Sequence, residues 1–264
     1  MDSDGPSRRA IYLLPNMITT LALFTGFVSV VASIDGQYQR AAVAIIVASI
    51  FDALDGRIAR LTRTSSLFGV QYDSLSDIVA FGVAPALLVF TAVLHPFGRF
   101  GWLGAFLFLA CGALRLARFN VQAQRVGEKH FTGLPIPAAG GMIAISILLV
   151  MDLAPDGGFE PQIVKMAFIG GVYALSFLMV SNVPYPSLKQ IVIPRRKAFQ
   201  SLAFVVVILV IMANYPTYFL FGFGIFYIVI SPIFGLWILK RMGVLDSDII
   251  ETFTLEDEDI LEDN

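Results

Sequence analysis

Hydrophobic residues in this chain run in long unbroken stretches separated by short polar breaks, and they do not alternate with polar ones. Each stretch approaches the ~20 residues that a helix needs to cross a bilayer. The pattern predicts about eight spans, near Ile11–Ser33, Ala41–Arg60, Gly69–Leu94, Trp102–Asn120, Leu134–Asp152, Val164–Ser181, Ser201–Ala213 and Tyr218–Leu239. The expected fold is therefore all-α, a polytopic transmembrane helix bundle. A β-barrel is excluded because its strands would alternate apolar and polar residues. Residues 1–245 read as one integral membrane domain, and 246–264 as an acidic tail. Pro135 and Pro137, then Pro184, Pro186 and Pro194, mark helix starts and breaks. No internal repeat is visible, which disfavours transporters built from inverted repeats.

Composition agrees with the pattern. The chain is 57% hydrophobic and only 14% charged, with mean hydropathy +0.78, where soluble domains carry about 25% charged residues. Arg8 and Arg9 precede a full-length first span, which does not read as a cleavable signal. Alternate connections hold most of the bases, among them Arg60, Arg63, Arg115, Arg118, Arg125, Lys129, Lys189, Arg195, Arg196, Lys197, Lys240 and Arg241. The opposite connections hold only Arg40, Arg99 and Lys165. By the positive-inside rule both termini should be cytoplasmic, in a cell (inner or plasma) membrane. The net charge of −2 conceals a split: residues 246–264 carry nine acids and no base, so the rest is net basic. A basic cytoplasmic face attracts lipid headgroups and phosphate-bearing substrates. The tail reads as a disordered, solvated end. Cys111 is the one cysteine and falls within a span, so no disulfide is expected.

Four acids break the apolar pattern: Asp52, Asp55, Asp73 and Asp77. Each aspartate at mid-helix in a bilayer costs about 2.5–3.5 kcal/mol on the insertion scale. That cost persists only where the carboxylates face water, a cation or one another. At about 100° per residue, Asp52, Asp55, Gly56, Ala59 and Arg60 share one helix face, and Gly69, Asp73 and Asp77 share another. The short Leu61–Phe68 loop makes the two helices antiparallel neighbours whose acidic faces converge. The carboxylates then lie roughly 6–12 Å below the cytoplasmic interface, at the depth of lipid phosphates. A carboxylate cluster without histidine or cysteine suits a hard divalent cation such as Mg²⁺ or Mn²⁺, and such ions bridge diphosphate oxygens. Gly56 and Ala59 leave room for a nucleotide or phosphate, and Arg60 can meet a phosphate at the helix end. Gly56, Ala59 and Gly69 taken singly would also serve close helix packing. An ion or proton transporter is the rival reading from another class. It would need charged groups across both leaflets, whereas these acids gather near one side.

The spacing D-x2-D-G-x2-A-R-x8-G-x3-D-x3-D resembles the signature of the CDP-alcohol phosphatidyltransferase family. All eight specified positions are present, as Asp52, Asp55, Gly56, Ala59, Arg60, Gly69, Asp73 and Asp77. Leu14–Thr19 resembles the family's entry helix, and Arg115–Asn120 and Phe131–Ala139 resemble segments of its membrane-integral phosphatidylserine synthase branch. The resemblance covers roughly residues 11–145, and the last three spans carry no usable motif. It implies transfer of a phosphate-linked group from a CDP-activated lipid to an alcohol, with release of CMP. It also implies Asp52, Asp55, Asp73 and Asp77 as ligands of Mg²⁺ or Mn²⁺, with Asp77 as general base. Gly56, Ala59, Arg60 and Gly69 would border the CDP donor, with Asn16 and Thr19 as further candidates on the first helix.

The branch resemblance points to L-serine as acceptor and CDP-diacylglycerol as donor. Serine carries a carboxylate, which Arg115 or Arg118 could hold bidentately, with Asn120 orienting the acceptor. Arg118, Arg125 and Lys129 equally read as residues that set topology. Glycerol 3-phosphate and inositol phosphate would attract the same bases, so charge alone does not choose the acceptor. An ether-lipid donor also stays open. A homodimer embedded among membrane lipids is the family-level expectation, and no nucleic-acid partner is expected.

Overall fold

Continuous apolar runs should give only helices, and in the computed structural model every regular element among the described residues is helical. Residues 6–62, 66–124, 133–154, 161–183 and 208–241 are described. The chain forms α1 (Pro6–Ile34), α2 (Tyr38–Thr62), α3 (Leu67–Asp77), α4 (Ala84–Val89), α5 (Arg99–Gln124), α6 (Ile136–Leu153), α7 (Gln162–Val180) and α8 (Pro216–Arg241). A short helical piece at 208–214 precedes α8. It is the only part of the expected span at 201–213 that falls among the described residues. Arg125, Lys129, the bases at 189–197 and the tail at 246–264 lie outside them.

Among the described residues, five helices are long and apolar enough to cross a membrane: Pro15–Ile34, Leu67–Phe97, Arg99–Gln122, Ile136–Leu153 and Gln162–Val180. α2 is long enough, at 25 residues or about 37 Å, but it carries Arg40, Asp52, Asp55, Arg57 and Arg60. The helix that bears half of the acidic motif is thus the least membrane-like by composition. α8 is 26 residues long and its sequence stays apolar as far as Leu239.

α1 and α2 form a hairpin through Asp35–Gln37. Gly36 there takes φ +72° and the Gln37 amide returns to the Ala32 carbonyl at 2.8 Å, a helix stop that glycine makes without strain. The hairpin packs through small residues. Ala41, Ala42, Ala44 and Ala48 of α2 and Ala22 and Ala32 of α1 are buried. A Cβ added to Gly26 would lie 2.7 Å from the Ala80 Cα, so α1 passes α3 and its continuation nearly in backbone contact. The large apolar side chains Phe24, Phe27, Val31, Leu103 and Phe106 point outward, as a lipid-facing surface requires.

α3 and α4 belong to one rod, running from Leu67 to Phe97, that is not uniformly α-helical. Ile78–Val83 and Phe90–Leu94 are wide π-type turns, and His95–Phe97 is a tight 3₁₀ turn. The Ala84 amide reaches back five residues to Val79, and Pro85 follows with no amide to donate. The first wide turn begins directly after Asp77 and re-aims the face that continues below the acids. Around this rod sit α1, α5 and α6, with α7 against α5 and α8 against α6.

Candidate active site

α3 opens with a cap. Ser66 Oγ accepts from the Gly69 amide at 3.0 Å, which starts the helix at Leu67, two residues before the expected start at Gly69. Gly69 also faces α1: a Cβ there would lie 3.3 Å from Asn16 Oδ1 and 3.2 Å from Ser66 Oγ. One turn along α1, Thr19 is buried and its hydroxyl donates to Asp55 Oδ2 at 2.8 Å and lies 3.1 Å from the Pro15 carbonyl. Ser76 of α3, also buried, donates to the Thr19 carbonyl at 3.2 Å. Thr20 and Tyr72 share a further hydrogen bond of 2.9 Å. The first helix is thus tied to both acidic helices.

Asp52, Asp55 and Asp73 each offer a carboxylate oxygen within 4.8 Å of the others. Asp55 is buried, and Asp52, Asp73 and Asp77 are half-buried. The Asp77 carboxyl lies within hydrogen-bond reach of Asp52. Ionised carboxylates only accept hydrogen bonds, so such a pair needs a proton or a cation between its members. Two ionised carboxylates at about 4.8 Å repel by roughly 3–4 kcal/mol at an effective dielectric of ~20. An all-oxygen, partly buried cluster with this repulsion fits a hard divalent cation.

The acidic faces converge, as the spacing predicts, but the two helices do not pack side by side along their acidic lengths. α2 approaches the rod mainly at Ala84–Val89, whereas α1 lies against both α2 and α3. At the level of the acids the helices stand apart and their side chains meet across the gap, leaving room that direct packing would remove.

Of the remaining candidates, Gly56 is half-buried and its amide supports the Asp55 carboxylate. Ala59 and Arg60 lie on the last turns of α2, and their side chains are outside the described set. Arg115 of α5 is half-buried within electrostatic reach of Asp77, and its Nε is buried without a hydrogen-bond partner. Asn120 Nδ2 donates to Ser74 at 3.0 Å, beside Asp73. Arg118 is exposed and donates to Asn182 Oδ1 at 2.7 Å, just after α7. The structure thus brings Arg115 to the acids, ties Asn120 to their helix, and turns Arg118 towards Asn182. Sequence reasoning did not identify Ser76, nor Thr19 as the partner of Asp55. Small hydroxyl residues on apolar helices ordinarily bond to their own backbone, so nothing in their spacing singled them out.

Comparison with known proteins adds two findings. The sequence model of the CDP-alcohol phosphatidyltransferase family matches residues 12–237. The chain is 40% identical over 181 residues to a CDP-diacylglycerol–serine O-phosphatidyltransferase of Helicobacter pylori, covering 69% of this chain and 75% of that protein. It is 40% identical over 175 residues to an archaetidylserine synthase of Methanothermobacter thermautotrophicus, covering 66% and 69%. A CDP-diacylglycerol–serine O-phosphatidyltransferase of Mycobacterium leprae is 33% identical over 201 residues, covering 74% and 65%.

Proposed function

The chain belongs to the CDP-alcohol phosphatidyltransferase family, and we propose that it transfers the phosphatidyl group of CDP-diacylglycerol to L-serine, giving phosphatidylserine and CMP. The observation that carries the chemistry is the convergence of the Asp52, Asp55 and Asp73 oxygens beside Asp77 in a helical membrane protein. The choice of serine rests on the names of relatives at 31–40% identity. An ether-linked CDP donor is the second reading, favoured by the similarity to an archaetidylserine synthase.

In this reading Asp52, Asp55, Asp73 and Asp77 hold Mg²⁺ or Mn²⁺, and the donor diphosphate lies over Gly56, Gly69 and Asn16. A divalent cation there supplies charge neutralisation for the diphosphate and for departing CMP. Thr19 holds Asp55 in place through its hydrogen bond. Asp77 accepts the serine hydroxyl proton, because an alcohol is a poor nucleophile at neutral pH. The serine oxygen forms a bond to the lipid-side phosphorus. The phosphoanhydride bond to CMP breaks, and CMP leaves with the electron pair. Arg115 binds the serine carboxylate, and Arg60 meets the donor phosphates. An even set of eight spans puts both termini and the site on the cytoplasmic side, and a homodimer completes the picture.

The test compares wild-type protein with Asp77→Asn in detergent, with Mn²⁺ and CDP-diacylglycerol. Wild type should release CMP only when serine is added. The variant should bind CDP-diacylglycerol and release none. Turnover retained in Asp77→Asn would remove the base assignment.

A further inference from the structure

The first residue of α6 is wedged between the acidic rod and α5. Ile136 has no exposed surface. A Cβ added to Gly112 of α5 would lie 2.6 Å from Ile136 Cδ1 and 3.3 Å from its Cγ1. One added to Gly82, in the wide turn after Asp77, would lie 3.7 Å from the same Cδ1. The end of the Ile136 side chain therefore occupies space that two glycines, one on each helix, leave open.

The wedge is held from behind. The Leu134 amide donates to the Leu178 carbonyl at 3.0 Å and the Gly133 amide to the Val183 carbonyl at 2.9 Å, so the end of α7 anchors the segment. Gly133 takes φ +82°, and a Cβ there would collide with the Met179 carbonyl oxygen, so glycine alone makes this join without strain. Pro135 and Pro137 fix φ on either side of Ile136. Nearer the mouth of the site, the Asn120–Ser74 hydrogen bond of 3.0 Å joins α5 to α3 a second time. Positions 74 and 82 of the rod thus answer to 120 and 112 of α5, so the two run antiparallel. Asp77 and Arg115 fall between the two fastenings.

We propose that Ile136 is a spacer that sets the distance between Arg115 on α5 and Asp77 on the rod, and through it the fit of the acceptor alcohol. It is a positioning residue and touches no substrate. The role rests on the transfer reaction proposed above. In that reading the donor and metal groups stand on α1, α2 and α3, whereas Arg115 of α5 serves the acceptor. A change in the α5 spacing is therefore felt first by the acceptor.

Carbon atoms pack at about 3.5–4.0 Å, so Gly112→Ala forces a displacement of roughly 1 Å. A misplacement of about 1 Å can cost on the order of a hundredfold in rate. Ile136→Val removes Cδ1 alone and makes the room that the new methyl group needs. The experiment uses purified wild type, Gly112→Ala, Ile136→Val and the double variant. It measures Mn²⁺ affinity, melting midpoint, donor KM, and acceptor KM with L-serine, glycerol 3-phosphate or inositol phosphate supplied singly. Expected in Gly112→Ala is an acceptor KM raised about tenfold or more, with donor KM and Mn²⁺ affinity within about twofold of wild type. The double variant should regain both the acceptor KM and the melting midpoint of wild type. An unchanged acceptor KM in Gly112→Ala would overturn the proposal, as would equal rises for donor and acceptor, which mark a purely structural role. A double variant no better than Gly112→Ala would overturn it too, because Gly112 would then not be making room for Ile136. Serine turnover without a selective rise would overturn the spacer role while the serine reading stands. A selective rise for a phosphorylated acceptor, with serine inert in wild type, would overturn the serine reading while the spacer role stands. No turnover with any acceptor would overturn both.

Discussion

Thr19→Val is the sharpest test of how the site is held. Valine matches threonine in shape, so α1 keeps its packing, but Asp55 loses the 2.8 Å hydrogen bond that fixes its carboxylate. Both residues are buried, Thr19 at 4% exposure and Asp55 at 5%, so water does not replace the donor. A hydrogen bond to a charged group contributes about 1.5–3 kcal/mol, equivalent to roughly ten- to hundredfold in an equilibrium constant. Loss of the partner that orients a ligand lowers metal affinity by a similar factor. The Mn²⁺ concentration for half-maximal CMP release should therefore rise about ten- to hundredfold in Thr19→Val. Direct Mn²⁺ binding, followed by electron paramagnetic resonance without substrate, should weaken in parallel. Thr19→Ser keeps the hydroxyl and should stay close to wild type in both assays. Wild-type Mn²⁺ dependence in Thr19→Val would refute the reasoning, as would equal losses in the Val and Ser variants.

Other outcomes follow from the same geometry. Chelation with EDTA should abolish turnover, and Mn²⁺ should restore it; activity that survives exhaustive chelation would remove the metal role. Gly26→Ala places a Cβ 2.7 Å from the Ala80 Cα and should cost about 1–3 kcal/mol, lowering the melting midpoint in detergent by several degrees. Gly170→Ala meets nothing within 4 Å and should leave that midpoint near wild type. Asn120→Ala removes a neutral hydrogen bond to Ser74, worth about 1 kcal/mol, so CMP release should fall by less than about tenfold.

The helices were legible because run length alone selects a bilayer-spanning helix, and the carboxylate cluster because two acids per helix at three- or four-residue spacing must share a face. What surrounds the acids was less legible. The loop expected at Leu61–Phe68 took in Leu67 and Phe68, although both are apolar, and the Ser66 cap starts the helix ahead of them. The π-type turn at Ile78–Val83 differs from α-helix by a single residue per turn, too little for hydrophobic periodicity to register. That α1 sits against both acidic helices follows from the near-contact of Gly26 with Ala80, which one glycine in an apolar run does not announce.

The most direct test of the central claim follows the acceptor itself. Purified protein is supplied with CDP-diacylglycerol, Mn²⁺ and isotopically labelled L-serine, and label is sought in the extracted lipid. The account predicts labelled phosphatidylserine formed one-for-one with CMP, absent in Asp77→Asn and absent after chelation. Unlabelled lipid, with CMP released only on addition of glycerol 3-phosphate or inositol phosphate, would contradict the choice of serine.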